Sequence, residues 1–115
     1  VPLDFNIYND EAPTLVFNSK EDSEKGNIRF IKISKDNFLE NLMQKLYQEQ
    51  IQSVIIEGGR YTIQKFLDAN LWDEALVIRN ENLKLKNGTH APKIISEHLV
   101  TQQLKDNTIY SYLNH

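Results

Sequence analysis

The 115-residue sequence predicts an α/β fold, in which a mixed, mostly parallel sheet is flanked by helices. Two observations support this prediction. Short apolar runs rich in Val and Ile alternate with amphipathic stretches up to residue 78, which is the order of a parallel sheet. Beyond that point, polar and apolar residues alternate on both sides of a short turn. This pattern predicts an antiparallel hairpin at the C-terminus.

Two strands and one helix are predicted in the first half of the chain. Residues 15–17 form a short apolar run, and residues 28–33 form a second one. Asn37, with Glu40 three residues later, has the pattern of a capping box and predicts a helix over residues 36–48. The apolar stripe of this helix is typical of core packing and consists of Phe38, Leu39, Leu42, Met43 and Leu46.

The centre of the chain predicts a strand, a glycine turn and a helix in direct succession. Val54, Ile55 and Ile56 are typical of a short strand that is buried on both faces, and Gly58-Gly59 follows at once. Residues 60–69 then place their apolar side chains on one helical face. The glycines are therefore expected at the carboxyl end of a strand, where a helix begins.

A strand, a loop and a hairpin are predicted for the remainder. Residues 75–78 form an apolar strand, and residues 80–92 are mostly loop because they include Asn87-Gly88 and Pro92. In the tail, apolar and polar residues alternate over 100–104 and again over 109–113, around a turn at 105–107.

The glycine pair has two interpretations. Two glycines in a turn commonly mean only a tight connection with positive φ. Alternatively, the free N–H groups of a helix's first turn and the positive end of its dipole hold an anion, and Gly58 and Gly59 let it approach closely. Spacing alone leaves both interpretations open.

Three consecutive segments resemble one enzyme family. They are Ser53-Val-Ile-Ile-Glu-Gly-Gly59, Phe66-Leu-Asp-Ala-Asn-Leu71 and Trp72-Asp-Glu-Ala-Leu-Val-Ile78. They resemble the reductase domain of the bifunctional riboflavin biosynthesis deaminase/reductase, which has the dihydrofolate reductase-like fold. Dihydrofolate reductases typically lack the acidic residue before the glycines, so Glu57 favours the riboflavin enzyme. The resemblance implies a three-layer αβα architecture.

The resemblance also implies a reaction and a site. NADPH would supply hydride to the ribose C1 of 5-amino-6-(5-phosphoribosylamino)uracil, as the ring-opened imine, to give the ribitylamino product. Gly58, Gly59 and the amides of Arg60 and Tyr61 would hold the pyrophosphate. Glu57 would face this small-molecule substrate, a pyrimidine ribosyl phosphate. The alternative for Glu57 is an acid at a helix start that interacts with the dipole.

A second cofactor contact is implied near the first strand. In this fold class the adenosine end of the cofactor often lies beyond a strand placed like residues 13–17. Asn18, Ser19 and Lys20 are therefore candidates for contact with the adenosine phosphate. The alternative is that the lysines between residues 20 and 35 belong to a solvated surface of mixed charge.

The family's reductase domain is close to twice this length, and its opening strands, with the catalytic aspartate, have no counterpart here. We expect residues 1–115 to form a single domain that is the C-terminal part of a longer, N-terminally truncated reductase domain, so no catalytic residue is assigned. Residues 79–95 depart from the family's Ala-Pro-Gly-rich pattern, which leaves their conformation open. The alternative function is a non-catalytic nucleotide- or phosphate-binding module.

Composition narrows the classes of partner. Thirteen Lys and Arg against sixteen Asp and Glu give a net charge of −3, which argues against broad nucleic-acid binding. No run approaches ~18 apolar residues, so no membrane span and a cytoplasmic location are expected. The chain has no cysteine, and its three histidines lack metal-ligand spacing, so no metal is expected. Missing sheet strands would leave exposed edges, which favours a homodimer.

Overall fold

The computed structural model describes residues 12–95 and 100–114. By its contacts the chain divides into two compact units, Val1–Val54 and Ile55–His115. In the described part of the chain, each unit contains one helix and one three-stranded sheet. The expectation of a single domain stays a prediction.

The first unit contains strands β1 (Thr14–Asn18), β2 (Ser23–Lys25) and β3 (Ile28–Lys32), followed by helix α1 (Phe38–Gln48). The strand order is β1-β3-β2, in which β1 and β3 are parallel and β2 is antiparallel to β3. The two strands predicted over residues 15–17 and 28–33 are confirmed. Strand β2 could not be predicted, because its three residues are polar and show no apolar alternation.

The core of the first unit centres on β3. Ile28, Ile31 and Ile33 are 7%, 6% and 5% exposed, and neighbours along a strand point to opposite faces, so β3 is covered on both sides. Helix α1 has no fully buried residue, and Met43 is 39% exposed. The apolar stripe of α1 is thus only half-buried, and its expected role in core packing is wrong for Met43.

The start of α1 corrects the predicted capping box. Asn37 has a left-handed backbone with φ 53°, and its side chain makes no capping hydrogen bond. A capping side chain needs an extended backbone at this position to reach the amides of the first turn. Instead, Asn41 Nδ2 donates to Asp36 O at 2.9 Å. The helix therefore begins at Phe38 rather than at Asp36, and Glu40 has no capping partner in Asn37.

An ion pair joins β3 to the end of α1. Arg29 donates through both terminal nitrogens to the Glu49 carboxylate, at 2.8 and 2.9 Å. This hydrogen bond is the main cause that lowers the pKa of Glu49 and raises the pKa of Arg29. The two side chains remain 45% and 27% exposed, so solvent screens the pair.

The second unit contains helix α2 (Arg60–Asp68) and strands β4 (Glu74–Asn80), β5 (Val100–Leu104) and β6 (Asn107–Leu113). The order is β4-β6-β5, and both pairs are antiparallel. The predicted helix, the strand over residues 75–78 and the C-terminal hairpin are all confirmed. Most of the 79–95 connection has no regular structure, as expected for a loop.

Asn114 ties the end of β6 to the segment that follows α2. Its N–H donates to Asp73 O at 2.9 Å, and its side-chain amide donates to Asn70 Oδ1 at 2.9 Å and to Trp72 O at 2.7 Å. Phe66 of α2 is 5% exposed and is the one buried hydrophobic side chain among the second unit's described residues.

Two predictions about the sheet are wrong. Residues 53–56 form no strand, and Val54 and Ile55 are 48% and 85% exposed. A strand exists through hydrogen bonds to a neighbour, and no described strand pairs with this run. The sheet is also not mostly parallel, because β1 and β3 are the one parallel pair in the described residues. The three-layer arrangement stays a prediction.

Candidate functional site

The glycine pair forms the entry to α2. Gly58 has φ +126°, a backbone conformation that side chains rarely tolerate, and Gly59 is the N-cap with φ −75° and ψ 166°. The first hydrogen bond of the helix runs from Ile63 N–H to Gly59 O at 3.3 Å. The N–H groups of Arg60, Tyr61 and Thr62 precede it and have no partner within the helix.

The space in front of these amides is open. No side chain caps α2, and its first turn has no acidic residue. A Cβ added at Gly58 or Gly59 would meet no atom within 4 Å. Lys65 Nζ lies 4.5 Å from the centre of the Tyr61 ring, although Lys65 itself belongs to the last turn of α2. Open amides, the helix dipole and the cation of Arg60 at the first helical position favour an anion here.

Glu57 immediately precedes the glycine pair. It is exposed, and within the described residues no hydrogen bond or ion pair holds its carboxylate. It does not cap α2, because the helix has no side-chain cap. The structure therefore leaves this carboxylate available, and its substrate-facing role stays a prediction.

The first unit has a surface concavity of about 410 Å³ at the carboxyl ends of its parallel strands. Ligands of open α/β sheets characteristically bind beyond such strand ends. The residues around it come from the ends of β1 and β3 and the start of α1, and are Phe17, Asn18, Ser19, Lys20, Ile33, Lys35 and Phe38. The three residues that the resemblance selected after the first strand thus line one concavity.

Asn18 organises the rim of this concavity. Its Oδ1 accepts from the N–H groups of Lys20 and Glu21, both at 2.9 Å, and its Nδ2 donates to Glu21 O at 3.1 Å. This Asx-type arrangement fixes the backbone after β1, so Ser19 and Lys20 stand exposed on the rim. The Asn18 side chain is consequently a positioning group, and Lys20 is the cation it places.

Sequence reasoning missed Lys35 and Phe38 in this concavity. The sequence predicts Lys35 on a solvated surface of mixed charge and Phe38 in the core. Their position after β3 could have indicated this. Strand β3 is parallel to β1, so the residues that follow the two strands lie at the same edge of the sheet. The two ammonium groups suit a phosphate, and the aromatic and aliphatic walls suit a base. Together they fit a phosphorylated nucleoside.

Metal ligands are not gathered anywhere in residues 12–95 and 100–114. No group of three His, Cys, Asp or Glu side chains lies close enough to hold an ion there. His90 is exposed, whereas His98 and His115 lie outside the described residues.

A glycine turn at an uncapped helix start and a concavity beyond parallel strand ends are features of α/β proteins that bind nucleotides. Comparison with known proteins identifies the family. The family model for the RibD C-terminal domain matches residues 1–109, so the chain belongs to this family. It is also similar to the riboflavin biosynthesis protein RibD of Aquifex aeolicus (strain VF5), with 31% identity over 104 residues.

That alignment covers 86% of this chain but 26% of the Aquifex protein, so the chain spans about a quarter of its relative's length.

Of the residues that the structure describes, neither α1 nor α2 has the length and apolar character that a membrane crossing requires.

Proposed function

We propose that this chain is part of an NADPH-dependent reductase of riboflavin biosynthesis, which reduces the ribose of 5-amino-6-(5-phosphoribosylamino)uracil to the ribitylamino product. Membership of the RibD C-terminal domain family supports the pathway. The observation that carries the cofactor proposal is the uncapped start of α2, where Gly58 and Gly59 leave the amides of Arg60 and Tyr61 open.

The pyrophosphate would be held by backbone donors at this helix start. The amides already point in one direction and no side chain competes for them, so binding requires little reorganisation. Arg60 adds positive charge at the same end of the helix. The residues present therefore fit a diphosphate group.

The concavity of the first unit, taken by itself, is a second candidate phosphate site, and its lining suits an adenosine phosphate. Lys20 and Lys35 supply charge, and Phe17 and Phe38 supply apolar surface for a base. Asn18 and Ser19 complete the contact, with Asn18 acting mainly through the backbone that it fixes.

NADPH, when bound, supplies the hydride for the ribose C1. The residues of this chain bind and orient the reactants, and Glu57 accepts hydrogen bonds from the substrate. We assign no described residue as catalytic. The contribution of the chain is positioning, which converts a bimolecular encounter into a reaction between held groups.

A pair of substitutions at one position tests the cofactor proposal. The ordinary φ of Gly59 admits any side chain without strain, so Gly59→Val blocks the amides by bulk alone. Gly59→Asp caps the helix and is expected to stabilise it by a few tenths of a kcal/mol. Both should weaken NADPH binding by at least about tenfold in the full-length parent, measured by calorimetric titration.

Stability and binding then move in opposite directions in Gly59→Asp, which a purely structural glycine could not produce. An unchanged dissociation constant for NADPH in both variants would remove the proposal. Ser53→Val is the matched control, because it adds a branched side chain at an exposed position before the turn.

The alternative is a non-catalytic nucleotide- or phosphate-binding module. It is favoured by the chemistry of the two candidate sites, which consist of backbone amides, cations and apolar walls suited to binding, with no described residue assigned to the reaction. The 115-residue chain should not oxidise NADPH in the presence of the substrate, whereas the full-length parent should. A parent that binds NADPH without turnover would favour the module.

A further inference from the structure

The connection between β4 and β5 contains an Asn-Gly pair, Asn87-Gly88, that the proposed function does not use. Of the twelve asparagines in the chain, Asn87 is the one followed by glycine. Asn-Gly commonly forms the two-residue turn of a β-hairpin, whose strands hold the turn in place. Here β4 ends at Asn80 and β5 begins at Val100, so no described strand adjoins the pair. A hairpin therefore does not account for it.

No contact in the described part of the chain restrains this pair. Residues 81–90 are all exposed. Within residues 12–95 and 100–114, the Asn87 side chain and the Gly88 N–H take part in no hydrogen bond. By contrast, the side chains of Asn18 and Asn114 are held by hydrogen bonds to backbone groups. The Asn87 side chain and the Gly88 backbone are consequently free to rotate toward each other.

These two groups can react with each other. After the Gly88 amide nitrogen loses its proton to base, it attacks Cγ of Asn87 and forms a new C–N bond. The Cγ–Nδ2 bond breaks, and Nδ2 leaves as ammonia after taking up a proton from water. The product is a five-membered succinimide ring. Water then opens the ring at either carbonyl and leaves an aspartyl or isoaspartyl residue at position 87. The reaction needs water and base, and neither oxidant nor cofactor.

Two neighbouring features favour the attack. Gly88 has no Cβ, so its nitrogen can approach the Asn87 side chain without steric hindrance and its backbone can rotate widely. Lys86 immediately precedes Asn87, and its positive charge favours the negatively charged nitrogen that attacks. Exposure, freedom from hydrogen bonds and the following glycine therefore coincide at this one asparagine.

We propose that Asn87 is a site of spontaneous deamidation in the folded chain, through a succinimide formed with Gly88. The product carries a carboxylate where the amide was, which makes the formal net charge of −3 more negative by one. The new charge lies beside Lys86, in a connection that is exposed and outside both sheets. The modified chain therefore keeps its fold. This inference is independent of the proposed reaction.

Incubation of the folded chain for several days in mildly alkaline buffer, followed by peptide mass spectrometry, tests the inference. Cleavage after glutamate at acidic pH, where the reaction itself is slow, releases residues 82–97. This peptide should gain about 1 Da, located by fragmentation at Asn87. The rate in the folded chain should lie within about tenfold of the rate in a synthetic peptide of residues 82–97, because the fold does not protect this segment.

The same peptide contains the matched control, Asn82, which is exposed in the same connection but is followed by Leu83. Asn82 should stay unmodified. Gly88→Ala should slow the reaction of Asn87 by at least about tenfold, because the added methyl group hinders the nitrogen.

In Gly88→Ala the new Cβ would lie 3.6 Å from Leu85 Cδ1, an ordinary contact, so circular dichroism should be unchanged. A folded chain in which Asn87 gains no mass, or reacts more than about tenfold more slowly than the free peptide, would overturn the inference. Equal reaction at Asn82, or an unchanged rate in Gly88→Ala, would do the same.

Discussion

Isoleucines in the two units differ widely in how far they are buried. In the first unit Ile28, Ile31 and Ile33 are at most 7% exposed, whereas in the second Ile55 and Ile78 are 85% and 68% exposed. Isoleucine has the same strand preference in both places. What differs is whether another element covers the side chain. Strand preference therefore indicates where a strand can form, and the neighbours decide whether it is buried.

The largest difference in the free energy of unfolding should come from truncating one isoleucine to alanine in each unit. Ile31→Ala leaves a cavity beneath a covered strand and should lower the free energy of unfolding by about 2–5 kcal/mol. Ile78→Ala removes an exposed group and should change it by less than ~0.5 kcal/mol in dilute protein. Urea unfolding followed by circular dichroism measures both. Equal losses would show that the two faces are equally covered and would break the comparison.

A serine scan across the glycine pair sharpens the account of the second unit. Gly58→Ser forces a side chain into φ +126° and should destabilise by about 1–3 kcal/mol. Gly59→Ser adds a good N-cap at an ordinary φ and should stabilise by a few tenths of a kcal/mol. Thermal unfolding of the two variants gives the sign directly. If both destabilise, Gly59 is not the N-cap of α2.

A substitution of Glu57 should affect use of the substrate much more than binding of the cofactor. Glu57→Gln in the full-length parent should reduce kcat/KM for the phosphoribosylaminouracil about tenfold, since the carboxylate is proposed to face that substrate. The NADPH dissociation constant should change less than about twofold, because no contact of Glu57 with the pyrophosphate is proposed. Steady-state kinetics and titration measure the two quantities. Equal losses would mean that Glu57 only supports the turn.

Gln64 provides a test in the connection between β4 and β5. Its Oε1 accepts from Lys93 N–H at 2.9 Å, and its Nε2 donates to Lys93 O at 3.3 Å and to Asp68 Oδ1 at 2.9 Å. Gln64→Ala should loosen this attachment by about 0.5–1.5 kcal/mol locally.

The readout is faster tryptic cleavage at Lys84, Lys86 and Lys93, with global unfolding nearly unchanged. Gln64→Glu keeps the acceptor for Lys93 N–H and should show a smaller increase in cleavage. Cleavage that is no faster in Gln64→Ala than in the unaltered chain would mean that this contact does not hold the connection.

Elements whose signal is local were predictable from the sequence. The amphipathic helices, the alternating hairpin over residues 100–113 and the strand after Pro13 each follow from a short pattern. The glycine turn was predictable for the same reason, since Gly58 has the positive φ that favours glycine in a turn. Asn18, Ser19 and Lys20 were placed by resemblance, and the structure brings them together at one concavity.

Features that depend on distant partners were not predictable. The apolar run at residues 53–56 has the composition of a buried strand, but composition does not supply the hydrogen-bonding neighbour. Lys35 enters the concavity through the parallel pairing of β1 with β3, which separates partners by fourteen residues in sequence. The exposed aliphatic side of the second sheet, which includes Leu76, Ile78 and Val100, likewise follows from the ladder register and not from any single strand.

The smallest predicted effect concerns the ion pair of the first unit. Arg29 lowers the pKa of Glu49 in the folded chain, so the unfolded chain takes up a proton more readily at this position. The contribution of the pair to the free energy of unfolding is therefore complete above the ordinary glutamate pKa of about 4.3, and it is lost as pH falls through the lower folded value.

Unfolding midpoints of the unaltered chain and Glu49→Gln should differ near neutral pH and converge in acid. In an Arg29→Gln background, the Glu49→Gln change should have no such pH dependence, because its partner charge is gone. A difference that persists with the same pH dependence in that background would assign the lowered pKa to another group.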